Sequence, residues 1–252
     1  SYRQHGVPKK ASTISRRIIE HHLEHFVLDS APKIEVSDDD EDGVVDLNSF
    51  YEDIVDSRSD SQFSINGKDF TLKHFLLEYN SNIDHKLHLC ADMRVVDGLD
   101  LSNKIPNLVK PLPIQNGEPE REVVYNGYLT SEYLNHHVTS DRTAFTLGRD
   151  DFFGGDIERE QIEDTAIDKS KSFLFRFLEP IKEEKRSKIR DYVNKSAPQY
   201  KHLLTQREDE VEEIPADCDE EELDHRLYDI HKDMEKDVRR KAKDILSEET
   251  KD

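Results

Sequence analysis

Gln62-Phe63-Ser64-Ile65-Asn66-Gly67-Lys68-Asp69-Phe70-Thr71-Leu72 places apolar residues at alternate positions on either side of an Asn-Gly pair. Alternation with a period of two is the signature of a half-buried strand. Asn-Gly tolerates positive φ at both central positions of a type I′ turn, the turn that joins twisted antiparallel strands. The stretch therefore predicts a β-hairpin and sets an antiparallel sheet at the centre of the fold.

Upstream, residues 33–36 and 44–47 read as a second strand pair around the acidic turn Ser37 to Gly43, and Asn48 caps a short helix carrying Phe50, Tyr51, Ile54 and Val55. Further back, Ser12 or Thr13 caps a helix in which Ile18, Ile19, Leu23, Phe26 and Val27 recur at helical spacing before Pro32. Downstream, residues 86–91 alternate again with Leu87, Leu89 and Ala91 on one face, turn at Asp92-Met93 and return through residues 94–96. Pro106, Pro111 and Pro113 make residues 103–117 a stiff, irregular connection, and residues 122–129 close the sheet. Thr130 or Ser131 then caps a short helix through Leu134.

From Asp156 the period becomes helical. Ile162, Ala166, Phe173, Leu174, Phe177 and Leu178 form a wide stripe, Pro180 is expected to break or kink the helix, and Ile181, Ile189, Tyr192 and Val193 continue on a second helix that stops before Pro198. Leu223, Leu227, Ile230, Met234, Val238 and Ile245 lie on a long charged helix with a narrow stripe suited to a coiled-coil-like contact. The organisation expected is a loose lead at 1–12, an α/β domain at 13–150, a helical extension at 151–205, an acidic linker at 206–222 and the long charged helix at 223–252. The fold class is thus α/β (α+β), a mixed sheet with helices followed by an all-helical C-terminal part.

Among the 252 residues, 56 acidic side chains oppose 36 basic ones, a net charge of -20, which disfavours nucleic acid as a partner. No apolar run approaches the ~20 residues that span a bilayer, and no charged-then-apolar leader precedes Tyr2. Cys90 and Cys218 lie far apart, which fits a reducing, cytoplasmic compartment with no disulfide framework. A first residue of Ser1 leads to the expectation of a fragment of a longer polypeptide, or of a processed or tagged chain.

Several patterns that bear on chemistry fail on inspection. His21, His22, Glu24 and His25 contain the H-x-x-E-H spacing of inverted zinc proteases, but His21, Glu24 and His25 fall opposite the apolar stripe of their helix, a solvated face rather than a dry metal pocket. Asp38, Asp40, Asp42 and Gly43 match half of an EF-hand loop, yet Ser49 stands where a bidentate Glu is required. Glu78 and Asn82 have E-x-x-x-N spacing without the D-x-G-x-G that should follow. There is no phosphate-binding glycine loop and no Ser, His and Asp set for a nucleophile. Lys182, Lys185, Arg186, Lys188 and Arg190 are interrupted by Glu183 and Glu184, as on a helix face laced with ion pairs.

Residues 126–145 stand apart. They leave a strand, pass through the short capped helix with Tyr133-Leu134, and end in a polar loop that presents Arg142 between Asp141 and Thr143. Together with Tyr192-Val193 and Ala197-Pro198-Gln199-Tyr200-Lys201, this stretch resembles the middle, or transducer, region of Hsp90-like ATPases of the GHKL superfamily, in the branch of bacterial Hsp90-like ATP-binding proteins. The resemblance extends over residues 13–204. Two features depart from the family pattern: the interval from Gly127 to Arg142 is slightly longer, and Thr143 stands in place of a Glu.

The resemblance implies a ribosomal-protein-S5-domain-2-like transducer fold. It also implies that Arg142 is the catalytic arginine that reaches the ATP γ-phosphate, with Asn135 and Ser140 as positioners of its loop. ATP and Mg2+ would belong to the parent protein and no cofactor to this chain. The partner implied is an N-terminal ATP-binding domain of the same parent, with a homodimer or a protein client as further partners and a chaperone-like role. The alternative from the residues alone is a non-catalytic interaction scaffold that uses the C-terminal helix.

Overall fold

In the computed structural model Asn66 and Gly67 take φ of 48° and 73°, so the Asn-Gly pair forms the turn that its sequence requires. A Cβ on Gly67 would meet nothing within 4 Å; glycine is needed there for its backbone conformation alone. The structure describes residues 10–28, 31–37, 44–79, 83–114, 121–148 and 157–249, without the side chains of 20, 21, 56 and 244–249. The acidic turn at 38–43 and Asn82 lie outside these residues. The chain divides into two compact units, Ser1–Leu174 and Phe175–Asp252.

The first unit is a mixed α/β layer structure. Strands β1 (Glu35–Ser37) and β2 (Val44–Asp46) pair antiparallel, as expected. The main sheet runs β3 (Val55–Ile65), β4 (Lys68–Glu78), β8 (Arg121–Thr130), β5 (Lys86–Ala91), β6 (Arg94–Asp100), with β7 (Leu112–Ile114) also on β8. All pairings are antiparallel except β5 with β8, which is parallel. Central β8 is buried without a break from Val123 to Leu129, and β4 gives up alternation where His74 to Leu77 are buried on both faces. A strand covered on both sides reads as a continuous run rather than as alternation.

One face of the sheet is covered by α1 (Ala11–His21), α2 (Leu23–Val27) and α3 (Leu47–Ile54), whose Ile19, Leu23, Phe26, Val27, Leu47 and Tyr51 pack with Phe75, Leu77, Cys90, Val124 and Tyr128. The single helix expected at 12–27 is broken at His22 (φ -124°), and Lys10 rather than Ser12 or Thr13 stands at its N-cap. The break redirects Leu23, Phe26 and Val27 into the core. Likewise Asp46, not Asn48, caps α3, accepting from the Ser49 N–H at 3.0 Å. A carboxylate before the first turn satisfies a donor that would otherwise be orphaned.

The opposite face carries a buried polar chain. Ser170, on helix α5 (Arg159–Lys195), donates to the Ala166 carbonyl at 2.8 Å and accepts from the Tyr125 hydroxyl at 2.9 Å. Tyr125 must then accept from His74 Nδ1 at 2.8 Å, which leaves His74 Nε2 to accept from the Ser61 hydroxyl at 2.8 Å. Phe173 stacks on the His74 ring at 4.7 Å. A Cβ on Gly127 would sit 2.8 Å from the Tyr125 hydroxyl, so glycine is what lets this chain cross the sheet. At the gap where β7 has ended and β5 begins, the Tyr125 N–H is taken by the His85 Nδ1 at 2.9 Å, while His85 Nε2 donates to the Val109 carbonyl at 3.0 Å. Every backbone donor in this covered strand needs such a partner.

In the second unit, the remainder of α5 packs Ile189 and Val193 with Tyr200, Leu203, Val211, Ile214, Cys218, Leu223 and Leu227. Pro180 lies inside α5, which does not end there. The proline removes one backbone hydrogen bond at a cost of about 3 kcal/mol, offset here by burial of Phe177, Leu178 and Ile181 around it. The stretch read as an acidic linker is built into this core through α6 (Leu203–Gln206) and α7 (Glu208–Glu212), with Val211, Ile214 and Cys218 buried. Lys185, itself buried, donates to the carbonyls of Glu212 at 2.6 Å and Ile214 at 2.9 Å and so closes the end of α7. The long helix α8 (Glu220–Glu249) is capped by Asp219, which accepts from the Glu222 N–H at 2.8 Å. Its stripe is buried at Leu223 and Leu227 and exposed by Val238.

Candidate functional site

The Arg142 loop is mounted on the end of central β8. Ser131 accepts from the Tyr133 N–H at 3.1 Å and donates to the Asp69 carbonyl at 2.7 Å, which starts helix α4 (Glu132–His136) and ties it to β4. Tyr133 and Leu134 bury the helix, and His137 stacks on Tyr133 at 4.0 Å. The chain then doubles back. Val138 bridges Phe145, Thr139 N–H donates to the Ala144 carbonyl at 2.9 Å, and Thr146 N–H donates to the His137 carbonyl at 2.7 Å.

Inside this loop the Thr139 hydroxyl is the hub. It donates to Asp141 Oδ1 at 2.6 Å and accepts from the Thr143 and Ala144 N–H groups at 3.3 and 3.2 Å. Hydrogen bonds to its carboxylate, from Thr139 first and Thr143 second, hold Asp141 below its ordinary range. The Arg142 N–H donates to the Thr139 carbonyl at 2.8 Å, and Arg142 itself adopts φ of 57°. Ser140, expected as a positioner, is exposed in the loop, and the organising hydroxyl belongs to Thr139.

Asn135 acts at longer range. Its Oδ1 accepts the Asp92 N–H at 2.9 Å and fixes the turn between β5 and β6 to α4. From that turn the Asp92 carboxylate meets Arg142 Nη2 at 2.9 Å, with side chains 41% and 44% exposed. Asp92 and Met93 have φ of 49° and 63°. Among the described residues, the other non-glycine positive-φ positions are Asn66 and Asn107, the residue type that tolerates them best. Asp92, Met93 and Arg142 therefore gather left-handed backbone at one place, at roughly 1–2 kcal/mol for each residue so held. Neither Asp92 nor Thr139 was singled out by sequence reasoning; a hairpin turn of Asp-Met where Asp-Gly is the easy choice was the available signal.

The other patterns do not converge. Among the described residues no group of three His, Cys, Asp or Glu side chains is placed to hold a metal. Glu78 pairs with Arg16 at 2.6 Å. The basic run in α5 is engaged: Lys182 meets Glu212 at 3.0 Å, Arg186 pairs with Glu183 and Glu212, and Lys188 donates to the Cys218 carbonyl. Burial pushes the Cys90 thiol up to about 12 and raises that of Cys218. Both thiols are therefore held in the unreactive form. Among the described residues no helix is long and apolar enough to cross a membrane.

Comparisons with protein-family models, curated proteins and solved structures give no match.

Proposed function

We propose that this chain is the transducer segment of an Hsp90-like GHKL ATPase working in the cytoplasm, which supplies Arg142 to a nucleotide held by an N-terminal domain of the same parent. One observation carries the reading: Arg142 stands in strained backbone on a loop cross-braced through Thr139, and its guanidinium is engaged by a half-exposed carboxylate rather than buried in a structural network. Backbone strain that the surroundings over-determine is characteristic of residues with a task. The resemblance of residues 126–145 names the task.

The chemistry fits the donor. A guanidinium presents a rigid fork of N–H groups that matches phosphate oxygens and stays charged at any physiological pH. Charge that builds on the γ-phosphoryl oxygens during transfer is stabilised by such a group only when the loop is brought to it, so turnover becomes coupled to domain docking. ATP and Mg2+ belong to the partner domain. Within this chain, Thr139 and Asp141 hold the loop closed, and α4 connects it to the central strand.

The test uses the complete polypeptide that contains this chain. Arg142→Ala should leave nucleotide binding intact and cut ATP turnover by ~10³-fold or more, the typical worth of an arginine supplied in this way. Unchanged turnover, or a complete polypeptide that neither binds nor hydrolyses ATP, overturns the proposal. So does unaided ATP hydrolysis by the isolated 252 residues.

A further inference from the structure

We infer that Asp92 is a latch on Arg142: its carboxylate parks the guanidinium in a resting position that is given up when the arginine engages phosphate. The inference rests on the reading of Arg142 above and adds a residue that the resemblance does not assign.

Three observations carry it. The ion pair joins Asp92 Oδ2 to Arg142 Nη2 at 2.9 Å, so one edge of the guanidinium is occupied by an anion. The neighbouring carboxylate, Asp141, is turned to Thr139 and Thr143. The Asp92-Met93 turn keeps two non-glycine residues at positive φ, and Asn135 clamps it by accepting the Asp92 N–H. The turn and the arginine loop are thereby both fixed to α4, with the carboxylate held at the distance of a direct bond.

A carboxylate beside the cation opposes what the cation must do next. A phosphate that approaches Arg142 also meets the negative charge of Asp92, and the two anions compete for the guanidinium. The pair is solvent-exposed on both sides, and exposed pairs of this type shift an equilibrium by only ~1.4- to 5-fold. That is enough to favour the parked arm and little enough for a polyphosphate to displace it. Asp92 is a positioning residue with a negative sign: it sets how often Arg142 is free.

The experiment is steady-state ATP turnover in the complete polypeptide for wild type, Asp92→Asn, Arg142→Ala and the double variant. Asparagine suits the left-handed conformation at 92, and the backbone N–H that Asn135 accepts is retained. Asp92→Asn should raise turnover ~2- to 5-fold, with a gain that shrinks as salt is added, and should change nothing in the Arg142→Ala background. Asp92→Gly, which also accepts that conformation and lacks the carboxylate, should show the same rise. Equal or slower turnover in both Asp92 variants, with Arg142→Ala still inactive, overturns the latch and leaves the role of Arg142 standing. An Arg142→Ala variant as active as wild type removes both.

Discussion

His74 lies wholly buried between the Tyr125 and Ser61 hydroxyls with Phe173 over its ring, and burial pushes its pKa from 6.5 down to about 4. The unfolded chain therefore binds a proton that the folded chain refuses between about pH 6.5 and about pH 4, so stability is present above the unfolded value and lost as pH falls through that window. Integrating the two titrations gives a loss of about 2 kcal/mol from about pH 7 to about pH 5, approaching 3 kcal/mol near about pH 4. The assay is urea unfolding followed through amide signals of β4 and β8, which isolates the first unit, in wild type and His74→Gln. His85 and His88 are also pushed down by burial and add a loss of the same sign in both proteins. The glutamine variant should therefore lose about 2 kcal/mol less than wild type over the same interval. Equal losses in the two proteins, or a His74 ring that titrates at its ordinary value, would refute the reasoning.

Two further outcomes follow from packing. Gly127→Ala drives a methyl to 2.8 Å from the Tyr125 hydroxyl and 3.3 Å from Leu72 and Leu87, which should cost about 1–3 kcal/mol and lower the urea midpoint of the first unit; an unchanged midpoint would show that the crossing is looser than described. Lys185→Met removes both donors from the carbonyls of Glu212 and Ile214 and should destabilise the second unit by about 2 kcal/mol or more, read from its thermal or urea unfolding.

Local chemistry accounts for what could be read before the structure. The two hairpins, the strand that becomes β8 and the Ser131 cap each depend on a few adjacent residues, and each formed where expected. Where the structure departs from expectation, packing overrides local propensity: the helix does not break at Pro180, where Phe177 and Ile181 are buried on either side of the proline, and Val211, Ile214 and Cys218 draw the acidic segment before α8 inward. Their spacing of three and four residues carried the signal, but so few apolar positions among so many carboxylates look like a solvated run. Contacts such as Ser61, His74, Tyr125 and Ser170 join four elements, and no periodicity within one element reports its partner in another.

The candidate site divides along the same line. Arg142 and Asn135 sit in a continuous stretch whose order of strand, cap, helix and loop is itself a pattern, and the resemblance of that stretch is what points to them as candidates. Asp92 belongs to another hairpin and meets Arg142 only because β5 and β8 run parallel and side by side, which brings the turn after β5 to the loop that follows β8. A parallel neighbour cannot be inferred from alternation, since each strand alternates identically whichever way its partner runs. What the sequence did hold was a misfit: Met93 after Asp92 in a two-residue hairpin turn, where glycine would relieve the strain. The residue that declines glycine there is Met93, while Asp92 before it takes a conformation that aspartate tolerates and carries the carboxylate that faces the arginine.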